Sequence, residues 1–128
     1  MSGDALAGSL IAFVATTRPA AARTVYGDVL GLRLTQADDF ALAFDAGGTM
    51  LRVATVERLE PAGYTVLGWR VADIRATVSA LGARGVVFER YAFMAEASEP
   101  IWTAPGGAQV AWFKDPDGNT LSLTQLTA

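Results

Sequence analysis

The 128-residue sequence predicts an α+β fold made of two copies of a strand, helix, three-strand module. Three observations predict it. Asp45 to Gly48 followed by the alternating Thr49 to Val53 is matched by Asp115 to Gly118 followed by Asn119 to Leu123, each an acidic residue, a turn ending in glycine and a strand. Upstream, Ile11 to Arg18 leading into an Ala-rich amphipathic stretch is echoed by Val66 to Asp73 leading into another. Between the copies, Glu57 to Gly63 is polar and contains Pro61, the composition of a linker. One domain therefore spans 1–128, with module one at about 9–56, the linker at 57–63 and module two at about 64–126.

Met1 to Gly8 is small and polar, a loosely held terminus. Ser9 to Thr16 alternates, with Ile11, Phe13 and Ala15 on one side and Leu10, Ala12 and Val14 on the other, as a strand requires. Thr17 is placed to cap a helix that has Pro19 in its first turn, where a missing N–H costs nothing. Ala22, Val25, Tyr26, Val29 and Leu30 form one apolar stripe on that helix, and Gly31 ends it in the left-handed conformation. Leu32 to Gln36 and Phe40 to Phe44 are strands about the Ala37-Asp38-Asp39 turn, and Thr49 to Val56 completes module one.

Module two opens with the strand Tyr64 to Val71. Asp73 caps a helix striped by Ile74, Val78 and Leu81, and Val86 to Glu89 begins the next strand. Tyr91 to Pro100, YAFMAEASEP, has no clean period and is the one insertion relative to module one. Ile101 to Thr103 and Ala108 to Phe113 face each other across Ala104-Pro105-Gly106-Gly107 as a hairpin, and the last strand is Asn119 to Gln125.

Composition excludes several functions. At 52% hydrophobic and 18% charged, the chain is short of surface-forming charge for a monomer, which points to apolar surface covered by a second copy in a homodimer. The net charge is −3, and of ten basic residues only Lys114 is a lysine, so nucleic acid is not an expected partner. Absence of cysteine removes disulfides, thiolate nucleophiles and sulfur metal sites. Absence of histidine removes the commonest metal ligand and the commonest general base near neutral pH. The apolar run Leu10 to Ala15 is too short to span a bilayer and lacks a basic leader, so a cytoplasmic protein with no membrane partner is expected.

The chain resembles the vicinal oxygen chelate superfamily, which includes glyoxalase I, extradiol dioxygenases and bleomycin-resistance proteins. The resemblance is carried by VYGDVLGLRL at 25–34, VADI at 71–74, ARGV at 83–86 and FKDPDGNTLSLTQ at 113–125, and covers about Leu10 to Leu126. The last motif marks the final turn and strand rather than a reaction. The resemblance implies βαβββ modules forming a curled, cavity-enclosing mixed sheet with helices on the outer face, and subunits that pair. In metal-using members four strand positions supply the ligands, and the motifs carry these onto Ile11, Arg52, Val66 and Ser122. The internal repeat pairs the same residues, Ile11 with Val66 and Arg52 with Ser122. None is His, Glu, Gln or Asp, so neither a metal nor another cofactor is expected.

Alternation turns Leu51, Val53, Leu121 and Leu123 toward the helices. It leaves Met50 and Arg52, with Thr120, Ser122 and Thr124, for the cavity, shared with Ile11, Phe13, Ala15, Val66, Gly68 and Arg70. Such a lining, mostly apolar with a few polar points, is that of a small-molecule pocket. From the insertion, Tyr91, Phe93 and Met94, followed closely by Trp102, are apt to clasp a flat ligand, and equally apt to cap the core or meet a partner subunit. The expected ligand-binding residues are Ile11, Phe13, Met50, Arg52 and Val66, together with Arg70, Tyr91, Met94, Trp102 and Ser122; no catalytic residue is assigned.

Two roles stand open for Arg52 and Arg70. One is to grip a carboxylate, enolate or phenolate oxygen; the other is to ion-pair with Glu57, Glu89 or Asp45 or lie at a subunit contact. Trp69 has the parity of core residues, and Glu96 and Glu99 are read as solvated, with a cationic ligand as the sharper alternative. The favoured function is a metal-independent binding protein of the glyoxalase and bleomycin-resistance type, sequestering an aromatic or amphipathic molecule. The alternatives are a metal-free isomerase or lyase in which Arg52 or Arg70 stabilises an oxyanion, and an interaction module whose cavity is filled by its own side chains.

Overall fold

The computed structural model describes residues 5–127, so the Met1–Asp4 part of the terminus read as loosely held lies outside it. Two four-stranded mixed sheets are present. The first has the order β1 (Ile11–Thr16), β4 (Thr49–Thr55), β3 (Ala41–Ala46), β2 (Arg33–Ala37); the second has β5 (Thr65–Arg70), β8 (Thr120–Gln125), β7 (Gln109–Lys114), β6 (Trp102–Thr103). In each, the first strand of the module runs parallel to the last and the remaining pairs are antiparallel. The repeat seen in the sequence is therefore a repeat of topology. The curled sheet is expected as one enclosure; the structure has two separate sheets that do not close.

One face of each sheet is covered by a helix. Leu51 and Val53 of β4 are buried with Ala22, Tyr26 and Phe44, while Leu121 and Leu123 of β8 are buried with Ile74, Leu81 and Phe113. These side chains form a single core, so the period-two alternation does bury the leucine faces. Helix α2 (Ile74–Ala83) begins as expected, with Asp73 accepting a hydrogen bond from the Ala76 N–H.

The first helix departs from expectation. An α-turn, α1 (Pro19–Arg23), runs directly into a π-helix over Thr24–Val29, closed by the Leu30 N–H donating to the Val25 carbonyl at 2.8 Å. Thr17 is not its cap: Arg18 occupies that position without a side-chain cap, and Thr17 is drawn away to the carboxylate of Asp117. Gly31 ends the element at φ 79°.

The turn between β7 and β8 joins the modules. Asp115, only 7% exposed, accepts four hydrogen bonds, from the Tyr26 hydroxyl, the Asp117 and Asn119 N–H groups and the Asn119 side-chain amide. Asn119 also donates to the Ala15 carbonyl at 2.8 Å, and Arg18 donates to the Pro116 carbonyl at 3.0 Å. Asp117 accepts from both hydroxyls of Thr16 and Thr17 and from the Thr17 N–H. The end of β1 is thereby fastened to a turn about a hundred residues away in sequence.

In module two the strand expected over Val86 to Glu89 does not form. Phe88 makes a single antiparallel bridge to Phe113, and the same edge of β7 is taken up further along by Trp102–Thr103. The insertion thus splits what is one continuous edge strand in module one. Among the described residues no helix is long and apolar enough to cross a membrane.

Two measurements test this joint. Asp115→Ala strands the buried Tyr26 hydroxyl and should lower unfolding free energy in urea by about 3 kcal/mol, against about 1 kcal/mol for Tyr26→Phe. For Asp117, burial works to raise the carboxyl pKa, but the hydrogen bonds from Thr16 and Thr17, with Arg18 nearby, outweigh it and hold the group below its usual value. A folded pKa below the unfolded one means that the stabilisation is complete above about pH 4 and is lost as pH falls through the folded value. Urea titrations between neutral and acid pH should show this decline, and Asp117→Asn should flatten it.

Candidate functional site

The faces opposite the helices carry most of the residues expected to meet a ligand. On the first sheet Ile11 pairs with Met50 and Phe13 with Arg52, so all four lie on one open face. Ile11 is 43% exposed, Phe13 60% and Met50 40%. The Arg52 charge reaches Asp38, whose pKa is lowered first by hydrogen bonds from the Phe40 and Ala41 N–H groups and further by that guanidinium. Asp45 pairs instead with Arg33, at 3.3 Å.

On the second sheet the register holds a surprise. Thr65 pairs with Thr120 and Leu67 with Leu121, so Val66 is the extra residue of a β-bulge. The residue that occupies the ladder position of Ile11 is consequently Thr65, not Val66, which is displaced and 38% exposed. Ser122 pairs with Gly68 and Trp112 on the same face and is 5% exposed. A Cβ at Gly68 would come to 2.9 Å from the Ser122 Oγ, so this close approach depends on glycine. Arg70 borders a separate crevice of about 180 Å³ with Leu30, Leu32, Trp69 and Leu81. Trp69 is half-buried there and packs on the core.

The insertion builds the most developed feature. Tyr91 stacks on Phe93 at 5.6 Å and 15°, and Phe93 meets Trp102 and Trp112 edge-on at 5.6 and 5.7 Å. Tyr91 also meets Trp112 edge-on, and the two indoles lie 6.1 Å apart. These contacts are those favoured by aromatic quadrupoles. Beside the cluster is an open cavity of about 380 Å³ lined by Gly63, Tyr64, Thr65, Tyr91, Phe93, Trp112 and Thr120. The Trp112 indole N–H donates to the Thr65 hydroxyl at 3.2 Å, fixing the ring over the strand. Burial, then the charge of Glu89, pushes the Tyr91 phenol pKa up, so this group stays protonated at neutral pH.

Of the expected residues, the structure brings Tyr91 and Trp102 together in this cluster. It sets Ile11, Phe13, Met50 and Arg52 apart on the first sheet, and the aromatic cavity contains none of those four. Met94 is 2% exposed and belongs to the buried interior, because the 3₁₀ turn Ala92–Met94 sends it inward while Phe93, 60% exposed, points out. Thr120, expected as a polar point of the cavity, does line it, whereas Trp112, Tyr64 and Thr65 were not among the expected site residues. Parity held the signal for Trp112, which alternates with the buried Ala111 and Phe113. Glu99, read as solvated, pairs with Arg75 at 2.9 Å.

The phenol of Tyr26 has its pKa pushed far up by burial and by the charge and hydrogen bond of Asp115, which makes it a structural group. At the positions that correspond to metal ligands stand the hydrocarbons of Ile11 and Val66, the guanidinium of Arg52 and the hydroxyl of Ser122, with Thr65 moved in by the bulge. That donor set does not fit a divalent ion. Among the described residues no three His, Cys, Asp or Glu side chains are grouped to hold one.

Two modules of this topology, side by side with one face of each sheet open, define a glyoxalase-type fold. The family model of the Glyoxalase/Bleomycin resistance protein/Dioxygenase superfamily matches residues 9–123, and the chain belongs to that superfamily. Solved structures with the same fold include lactoylglutathione lyase from Agrobacterium tumefaciens, 17% identical with a TM-score of 0.73 over 94% of this chain and 95% of that one. A glyoxalase/bleomycin resistance protein/dioxygenase from Alicyclobacillus acidocaldarius is 16% identical with a TM-score of 0.70 over 95% and 93%. TnmS3, an antibiotic binding protein from Streptomyces sp. CB03234, is 23% identical with a TM-score of 0.71 over 96% and 98%. Comparison with curated proteins found no match.

Neighbouring residues of the insertion should respond oppositely to truncation. Met94→Ala should cost about 3 kcal/mol in chemical denaturation, as a buried methionine does. Phe93→Ala should change stability by less than about 1 kcal/mol, the solvent-facing ring having little burial to lose.

Proposed function

We propose that the protein is a metal-independent small-molecule binding protein of the glyoxalase and bleomycin-resistance type, sequestering an aromatic or amphipathic ligand in the cytoplasm. The observation that carries this is the aromatic cluster of Tyr91, Phe93, Trp102 and Trp112 beside an open cavity of about 380 Å³. Flat, polarisable walls favour planar ligands by stacking and burial, without a reaction. The fold shared with an antibiotic binding protein supports the same class of role.

The functional unit in this proposal is a homodimer. Ile11, Phe13, Met50 and Val66 leave apolar surface open on the sheet faces opposite the helices, surface that a second copy would cover.

Calorimetric titration with planar aromatic compounds and aliphatic controls of equal size tests the binding role. Aromatic compounds should bind, Trp112→Ala should weaken binding roughly tenfold, and a chelator should leave affinity unchanged. Loss of binding on chelation would return the protein to the metal-dependent group. Sedimentation velocity should show a dimer that Phe13→Asp converts to monomer.

A further inference from the structure

Resting on the aromatic-binding role above, we propose that the ligand is a planar aromatic anion, a carboxylate or phenolate, whose charge is taken by Lys114 at the edge of the aromatic wall. Lys114 lies on β7 two residues from Trp112, on the same face, since Trp112 pairs with Ser122 and Lys114 with Thr120 across the ladder. Its Nζ donates to the Thr120 hydroxyl at 2.8 Å, and Thr120 is a lining residue of the aromatic cavity. The only lysine of the chain is therefore tethered at the rim of its most aromatic site.

The charged group of the site is a donor. Thr120 accepts from Lys114 and donates to the Ala62 carbonyl at 3.2 Å, so its one proton is committed. Thr65 accepts from the Trp112 indole and retains its own proton for donation. An ammonium has three protons and Lys114 spends one on Thr120. What remains at the rim includes two ammonium protons of Lys114 and the Thr65 proton, which suit an anionic acceptor on the ligand, beside the Tyr64 and Tyr91 hydroxyls, which can donate or accept. Among the described residues no aspartate or glutamate lines the cavity.

Nor does the ammonium form an ion pair among the described residues. Among the described residues the ion pairs are Arg33 with Asp45 and Arg75 with Glu99, neither of which involves Lys114. Lys114 also borders a neighbouring groove that contains Val86, Val87 and Glu89, but its Nζ is bonded to Thr120. The pairing of Glu99 with Arg75 removes one of the carboxylates that a cationic ligand would have used. A protein of net charge −3 thus holds an ammonium on the Trp112 and Thr120 side of the aromatic cluster, with the Glu89 charge on the Tyr91 side.

The test is calorimetry with three isosteres, 2-naphthoate, 2-naphthamide and naphthalen-2-ylmethylammonium, against the native protein, Lys114→Met and Lys114→Arg. Native protein should bind the carboxylate about fivefold tighter than the amide, the size of a partly exposed ion pair, with the preference shrinking as salt is added. Lys114→Met should bind carboxylate and amide alike while keeping affinity for the amide, and Lys114→Arg should keep the preference. Should Lys114→Met fail to fold by circular dichroism, the salt dependence of native protein and Lys114→Arg decides. Equal binding of carboxylate and amide by native protein, a preference for the ammonium, or a preference untouched in Lys114→Met would overturn the assignment while leaving aromatic binding in place. Failure of all three compounds to bind would overturn both.

Discussion

A buried carboxylate has to find its hydrogen bonds inside the protein, and the way Asp115 finds them holds the two modules together. Its partners come from the π-helix of module one, through Tyr26, and from its own turn, through the Asp117 and Asn119 N–H groups and the Asn119 amide. With those partners in place the turn has a defined shape, and Asp117 and Asn119 can reach the end of β1. Four satisfied hydrogen bonds offset the desolvation that an ionised group at 7% exposure would otherwise suffer. The repeat alone does not require this joint: the matching turn of module one, Asp45 to Gly48, is solvent-facing, and Asp45 there bonds the Gly48 N–H of its own turn and Arg33.

The two modules share a topology and differ in one edge. In module one β2 runs unbroken beside β3 apart from a bulge, whereas in module two the equivalent edge is made of Phe88 and Trp102–Thr103 with ten residues looped out between Tyr91 and Pro100. The loop folds back over the face opposite α2, anchored by the buried Met94, and so carries Tyr91 and Phe93 onto Trp112. Asymmetry between repeats is what turns a plain sheet face into a walled site. The bulge at Val66 contributes to the same wall by bringing Thr65 under the Trp112 indole.

Loss of metal-ligating side chains leaves a glyoxalase-type scaffold with different means of holding a ligand. Hydrocarbon and a guanidinium at Ile11, Arg52 and Val66 cannot gather two substrate oxygens about an ion, but stacking surfaces and hydrogen-bond donors can orient a planar molecule by shape and charge. In the proposed binding role the centre of recognition lies at the rim, beside the insertion, rather than in the middle of the strands.

Much of the architecture was legible in the sequence because it depends on local rules. Alternation assigned Leu51, Val53, Leu121 and Leu123 to the core, glycine at 31 ended the first helical segment, and Asp73 capped the second helix, each decided within a few residues of chain. The family followed from the same motifs. What needed the tertiary structure were choices between near-equal local options: Thr17 bonding Asp117 rather than capping α1, the wide turn around Tyr26, the bulge that exchanges Thr65 for Val66, and the inward Met94 beside the outward Phe93. Each turns on a partner distant in sequence, and a hydrogen bond or ring contact of that kind leaves no periodic trace in the chain.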